Sequence, residues 1–128
     1  MRIDELLVKK GADVLVGAPE NPLNPQATAA IAEAVATIRG IREAHLPQCF
    51  IPGVSEAPAQ VLVVVLAASA TEQNVMSELG PRLHKIVPKG VYLDVWPLPL
   101  RHPVLGSVRK AGCQIYAAPQ RPWWRFWR

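Results

Sequence analysis

Residues Gln60 to Ala68, Gln-Val-Leu-Val-Val-Val-Leu-Ala-Ala, form an apolar run that leaves no polar face. Strands covered on one side alternate apolar and polar positions, so a Val-rich run of this length predicts a strand buried on both faces. It is the expected centre of a sheet. Burying Val61 to Leu66 is worth about 9 to 18 kcal/mol gross, at about 1.5 to 3 kcal/mol per side chain, before conformational entropy is set against it.

The other elements follow from the same pattern. Met1 to Lys10 predicts a short helix or an irregular arm, and Asp13 to Gly17 a first strand ended by Ala18-Pro19. Asn24 is placed as a helix N-cap with Pro25 at the first helical position, where proline has no hydrogen bond to lose. Ala27, Ile31, Ala34, Val35 and Ile38 recur at helical spacing, so the helix is expected to reach Arg39 and stop at Gly40. Ile41 to Ile51 predicts a second strand, made an edge or broken by a bulge at Pro47. After the central strand, Ser69 and Glu72 have capping-box spacing, and Val75, Met76, Leu79, Leu83, Ile86 and Val87 supply a helical apolar face. Gly80-Pro81 predicts a kink or restart within it. Val91 to Trp96 reads as a strand, with Pro97, Pro99 and Pro103 spacing out a loop. A short helix from Pro103 to Ala111 and a strand from Cys113 to Tyr116 complete the pattern.

The order β-α-β-β-α-β, followed by a short helix and strand, predicts an α/β protein of α+β type. Its expected architecture is a two-layer sandwich with helices on one face of a mostly antiparallel sheet. One domain over residues 1–117 and a tail over 118–128 account for all 128 residues. The longest apolar run falls far short of the roughly 20 residues that a membrane-spanning helix needs. The acids of Met1-Arg2-Ile3-Asp4-Glu5 do not suit a signal peptide, so a cytoplasmic protein of bacterial type is expected.

Charge changes the picture more than composition does. Residues 1–80 carry five Lys and Arg against nine Asp and Glu, net −4, whereas residues 81–128 carry nine against Asp94 alone, net +8. Such a basic segment fits an acidic partner, a nucleic acid or an anionic surface, or a merely solvated face. Cys49 and Cys113 lie in no C-x-x-C pair and are read as small buried hydrophobes.

Four short stretches bear a family pattern. Val16-Gly17-Ala18-Pro19 ahead of a proline-started helix, Ala44-His45-Leu46, the run Val61 to Leu66, and Leu93-Asp94 with Ile115-Tyr116 beyond it together resemble the C-terminal domain of the SseB (enhanced serine sensitivity) family. The resemblance spans Gly11 to Ala117. His45 stands where the family tends to have an aromatic residue, and Gln114 where it has a proline. It implies a bacterial cytoplasmic protein with no assigned catalytic set and a suspected role in modulating sulfurtransferase-type enzymes.

The chain holds no Gly-x-Ser-x-Gly and no phosphate-binding glycine loop, and His45, His84 and His102 have no second ligand at metal spacing. No cofactor and no catalytic residue are expected. Asp94, the lone acid of the basic segment, shares a strand face with Tyr92 and Trp96, which marks these three as the place for a pocket. The tail concentrates Arg121, Trp123, Trp124, Arg125, Phe126, Trp127 and Arg128 into eight residues. Tryptophan and arginine dominate binding hot spots, and so much aromatic surface is unfavourable in water. The expectation is a non-enzymatic interaction module that binds a protein partner through this segment, an immunity or adaptor role for a secreted effector being a narrower version by analogy. Folding back on its own domain, self-association and contact with an anionic membrane are alternatives for the tail. A nucleic-acid partner is disfavoured, because no groove-reading element accompanies the charge. A small-ligand protein or weak enzyme with a pocket near Asp94 is the competing class.

Overall fold

The computed structural model describes residues 14–53, 56–91 and 93–119. The expected N-terminal arm, Tyr92 and the tail from 120 onward lie outside them. Among the described residues the elements are β1 (Leu15–Gly17), α1 (Pro25–Ala36), β2 (Ile41–His45), β3 (Gln48–Phe50), β4 (Ala59–Leu66), α2 (Glu72–Ile86), β5 (Asp94–Pro99), α3 (Leu105–Lys110) and β6 (Gln114–Ala117).

The Val-rich run is the centre of the sheet as its pattern predicts. Val61 to Leu66 are each at most 8 % exposed, because β4 is flanked on both edges and covered on both faces. On one edge, β5 runs parallel to it, Val61 opposite Asp94 and Leu66 opposite Pro99. On the other edge β2 and β3 follow one another antiparallel to β4, from Ile41 opposite Leu66 to Cys49 opposite Ala59. Pro47 separates them; its carbonyl accepts from the Val61 N–H at 2.9 Å, and it has no N–H of its own to return. The predicted second strand is therefore broken there, but it is not an edge, since β6 pairs with β2 and β1 with β3. The outer partner changes from one to the other across the Pro47 break.

Alternation along β4 sorts the core into two faces. Leu62, Val64 and Leu66 pack with Ile31, Val35, Val75, Leu79 and Leu83 of the two long helices. Val61, Val63 and Val65 face the other way, onto Cys49, Trp96, Leu98, and Leu105 and Val108 of α3. The two long helices thus share one face as expected, and the short third helix covers part of the opposite one.

Several boundaries move for physical reasons. The Asn24 side chain accepts from the Ala27 N–H at 2.7 Å and caps α1 as predicted, but the helix ends at Ala36 rather than Arg39. Residues 37–40 instead form the turn into β2, in which Gly40 adopts φ 97° and lies so close to Ala70 that a Cβ there would stand 2.7 Å from the alanine methyl. Thr71, not Ser69, caps α2, its hydroxyl accepting from the Asn74 N–H at 3.4 Å. No restart divides α2 at Pro81, which lies inside one continuous helix. Pro81 is on the exposed side, so the Ser77 carbonyl that its missing N–H leaves without a helical donor does not cost a buried hydrogen bond.

The largest departure is β5. The expected strand of residues 91–96 begins instead at Asp94 and takes in Pro97 and Pro99, placed by sequence in a loop. Proline cannot donate to a ladder, so on a strand paired along one edge its nitrogen faces the other. Positions 95, 97 and 99 therefore turn their backbone nitrogens to the edge that no described strand pairs with. The Val95 N–H is taken by the Asp94 carboxylate at 2.9 Å, and the prolines have none. These three positions leave no spare backbone donor for strand addition. The double variant Pro97→Val with Pro99→Val returns two donors to the edge, and light scattering is expected to show concentration-dependent self-association beyond that of the parent chain. An unchanged mass would remove the edge-blocking role.

Candidate functional site

The carboxyl ends of the parallel pair β4 and β5 open onto a groove of about 810 Å³ beside the start of α2. A crevice outside the carboxyl ends of neighbouring parallel strands is where open sheets place ligands, and the volume lies within the range of about 300–1,000 Å³ typical of such sites. Its floor comes from Leu66, Ala67, Ala68 and Ala70 where β4 turns into α2, and its far wall from Pro97, Pro99 and Leu100. The small residues are what leave the space. The His102 N–H donates to the Pro99 carbonyl at 3.1 Å, and the Val104 N–H donates to His102 Nδ1 at 3.1 Å, which ties down the lip. Glu72, Arg101 and His102 provide a carboxylate, a guanidinium and an imidazole at the rim of otherwise apolar walls. No Ser, Thr or Cys lines the groove, so its described walls supply no hydroxyl or thiol nucleophile.

A second cluster lies on the α3 face. Glu43 Oε1 accepts from His45 Nε2 at 3.0 Å and from Arg109 Nε at 3.1 Å, and Oε2 accepts from Arg109 Nη2 at 2.8 Å. Glu43 and His45 point the same way because they are two apart on β2. Arg109 arrives from α3, 66 residues later. The Arg109 guanidinium holds the Glu43 carboxyl below the usual carboxylate range; burial opposes this and His45 assists it. His45 is 1 % exposed, and among the described residues its Nδ1 has no hydrogen-bond partner, which carries a desolvation cost of about 1–3 kcal/mol.

The sign of the pH effect follows. A carboxyl depressed by folding adds stability that is present above its unfolded pKa and is lost as pH falls through the folded one. Glu43→Gln is expected to cost about 1–3 kcal/mol at neutral pH and less in acid, because it removes a charge-assisted double hydrogen bond. Urea unfolding against pH checks this, and equal losses at both ends of the range would count against it.

The residues singled out by sequence are distributed differently from expectation. Asp94 and Trp96 are 7 % and 2 % exposed, and the Trp96 indole N–H donates to Asp94 Oδ2 at 3.1 Å. They lie within the packed strand, while the groove opens at the other end of β5; Tyr92 is outside the described residues. Trp123, Trp124, Trp127, Phe126, Arg121, Arg125 and Arg128 are outside them too. Burial pushes the Cys49 thiol up to about 12, with Cys113 reinforcing the shift, and burial also raises Cys113. Both thiols are held in the protonated form, as small hydrophobes would be. Among the described residues no group of three His, Cys, Asp or Glu side chains is placed to hold a metal ion, and no helix is long and apolar enough to cross a membrane.

Sequence reasoning missed the groove and the Glu43 cluster. Ala67-Ala68-Ser69-Ala70 directly after the buried run was a legible sign of an unfilled strand end. The pairing with Arg109 had no local sign. No family model, curated protein or solved structure matches the chain.

Proposed function

We propose that this chain is a non-enzymatic protein-interaction module, SseB-like in kind, whose contact surface combines the Trp- and Arg-rich segment 121–128 with the end of the sheet from which it departs. The observation that carries the reading is positional. The Ala118 N–H donates to the Arg42 carbonyl at 2.8 Å, so the described chain leaves β6 at the same end of the sheet as the apolar groove. Tryptophan and arginine are the side chains that dominate binding hot spots, and a groove with apolar walls is the kind of surface on which they act. The donor-poor edge of β5 directs a partner to side-chain contacts rather than to strand addition.

The test uses the full chain and the variant Trp123→Ser, Trp124→Ser, Trp127→Ser. A protein captured from the cytoplasm by the parent is purified and titrated against both. A loss of affinity of tenfold or more in the variant is expected, since each truncated hot-spot tryptophan costs about 2 kcal/mol or more. Equal affinities would remove the segment as the contact.

The volume and apolar walls of the groove favour a second reading, a small apolar ligand bound there. A ligand that binds only the folded chain must raise its melting temperature, so a thermal-shift screen discriminates.

A further inference from the structure

We propose that the groove at the carboxyl ends of β4 and β5 is the docking site for this chain's own segment 121–128, bound in cis. Three observations converge on it: where the described chain ends, what the groove is made of, and how the charges are arranged.

Ala118 is bonded to Arg42 beside Ile41; Ile41 pairs with Leu66, and Leu66 with Pro99 of the groove wall. The groove floor therefore lies about two strand spacings from the exit, or about 10 Å. Residues 120–128 span up to about 30 Å when extended, which crosses that distance and leaves most of the segment to lie along the groove. The opposite terminus starts from farther away, since β1 begins at Leu15 opposite Phe50, at the other end of the sheet.

The walls suit the rings of this segment. Alanines at 67, 68 and 70 leave depth, while Pro97, Pro99 and Leu100 offer flat apolar surface to an indole. Leu100 is 39 % exposed, large apolar surface that docked rings would cover. Glu72 stands on the α2 side of the groove, and Arg101 and His102 on the other. The carboxylate attracts the arginines of the segment and the Arg101 guanidinium repels them. A tether of this length holds the segment at an effective concentration of about millimolar, so docking in cis outcompetes a second copy at micromolar protein.

The inference concerns the same segment as the interaction reading but is tested apart from it. Equal partner affinities of the parent and the triple tryptophan variant, with docking intact in the parent, would sink that reading alone, and undocked rings with a tenfold loss of partner affinity would sink this one. In the isotopically labelled full chain, nuclear Overhauser effects are expected between tail indole protons and the methyl groups of Ala67, Ala68 and Ala70, unchanged on dilution. Leu100→Asp, at a position 39 % exposed, and separately Trp124→Ser are expected to weaken or abolish those effects and shift tryptophan emission to the red. Overhauser effects within the sheet core serve as the control for folding. Their absence between tail and groove, their appearance at another surface instead, their disappearance on dilution, or their persistence in both variants would each overturn docking in cis.

Discussion

Leu62→Ala is expected to destabilise the chain by about 2–5 kcal/mol, a large part of the stability available to a domain of this size. Leu62 is fully buried in β4 and packs against both long helices, so truncation leaves a cavity that neither sheet nor helix can collapse into. Its neighbours are held by ladders on both edges of β4. Leu15→Ala provides the contrast: Leu15 is 59 % exposed on β1, and the loss there should stay within about 0.5 kcal/mol. Urea unfolding of the two variants measures the difference, and comparable losses would mean that β4 is not the organising strand.

Asp94→Ala is expected to cost about 2–5 kcal/mol. The change strips the acceptor from two buried donors, the Val95 N–H and the Trp96 indole N–H, and an orphaned buried donor costs about 1–3 kcal/mol. The attribution can be checked with a double-mutant cycle. In a Trp96→Phe background the indole donor is already gone, so Asp94→Ala should cost less there by about 1–3 kcal/mol. Additive losses would show that the carboxylate does not serve Trp96.

Asp94 also shows why the site was harder to read than the fold. Its isolation in a basic segment and its spacing from Trp96 correctly mark the two as sharing a strand face, and that spacing suggests a pocket. The structure spends the carboxylate on its own neighbours. Whether a strand face is a cleft or a packed surface depends on what covers it, and here Leu105 and Val108 of α3 pack on the same cluster as Trp96. The groove exists for the converse reason. Three alanines leave a space at the end of β4, and Pro97 and Pro99 complete it only because β5 lies parallel beside that strand.

Local sequence is enough for the central strand, the two amphipathic helices, the Asn24 cap and the break at Pro47. Each is a property of neighbouring residues: hydrophobic period, side-chain capping, or a missing N–H. It took the assembled fold to make Pro97 and Pro99 part of a strand, to carry α2 through Pro81, and to bring Arg109 to Glu43. Those outcomes depend on which edge of a strand is left unpaired, which side of a helix faces water, and which distant side chains the sheet order brings together. No pattern within a few residues carries that information.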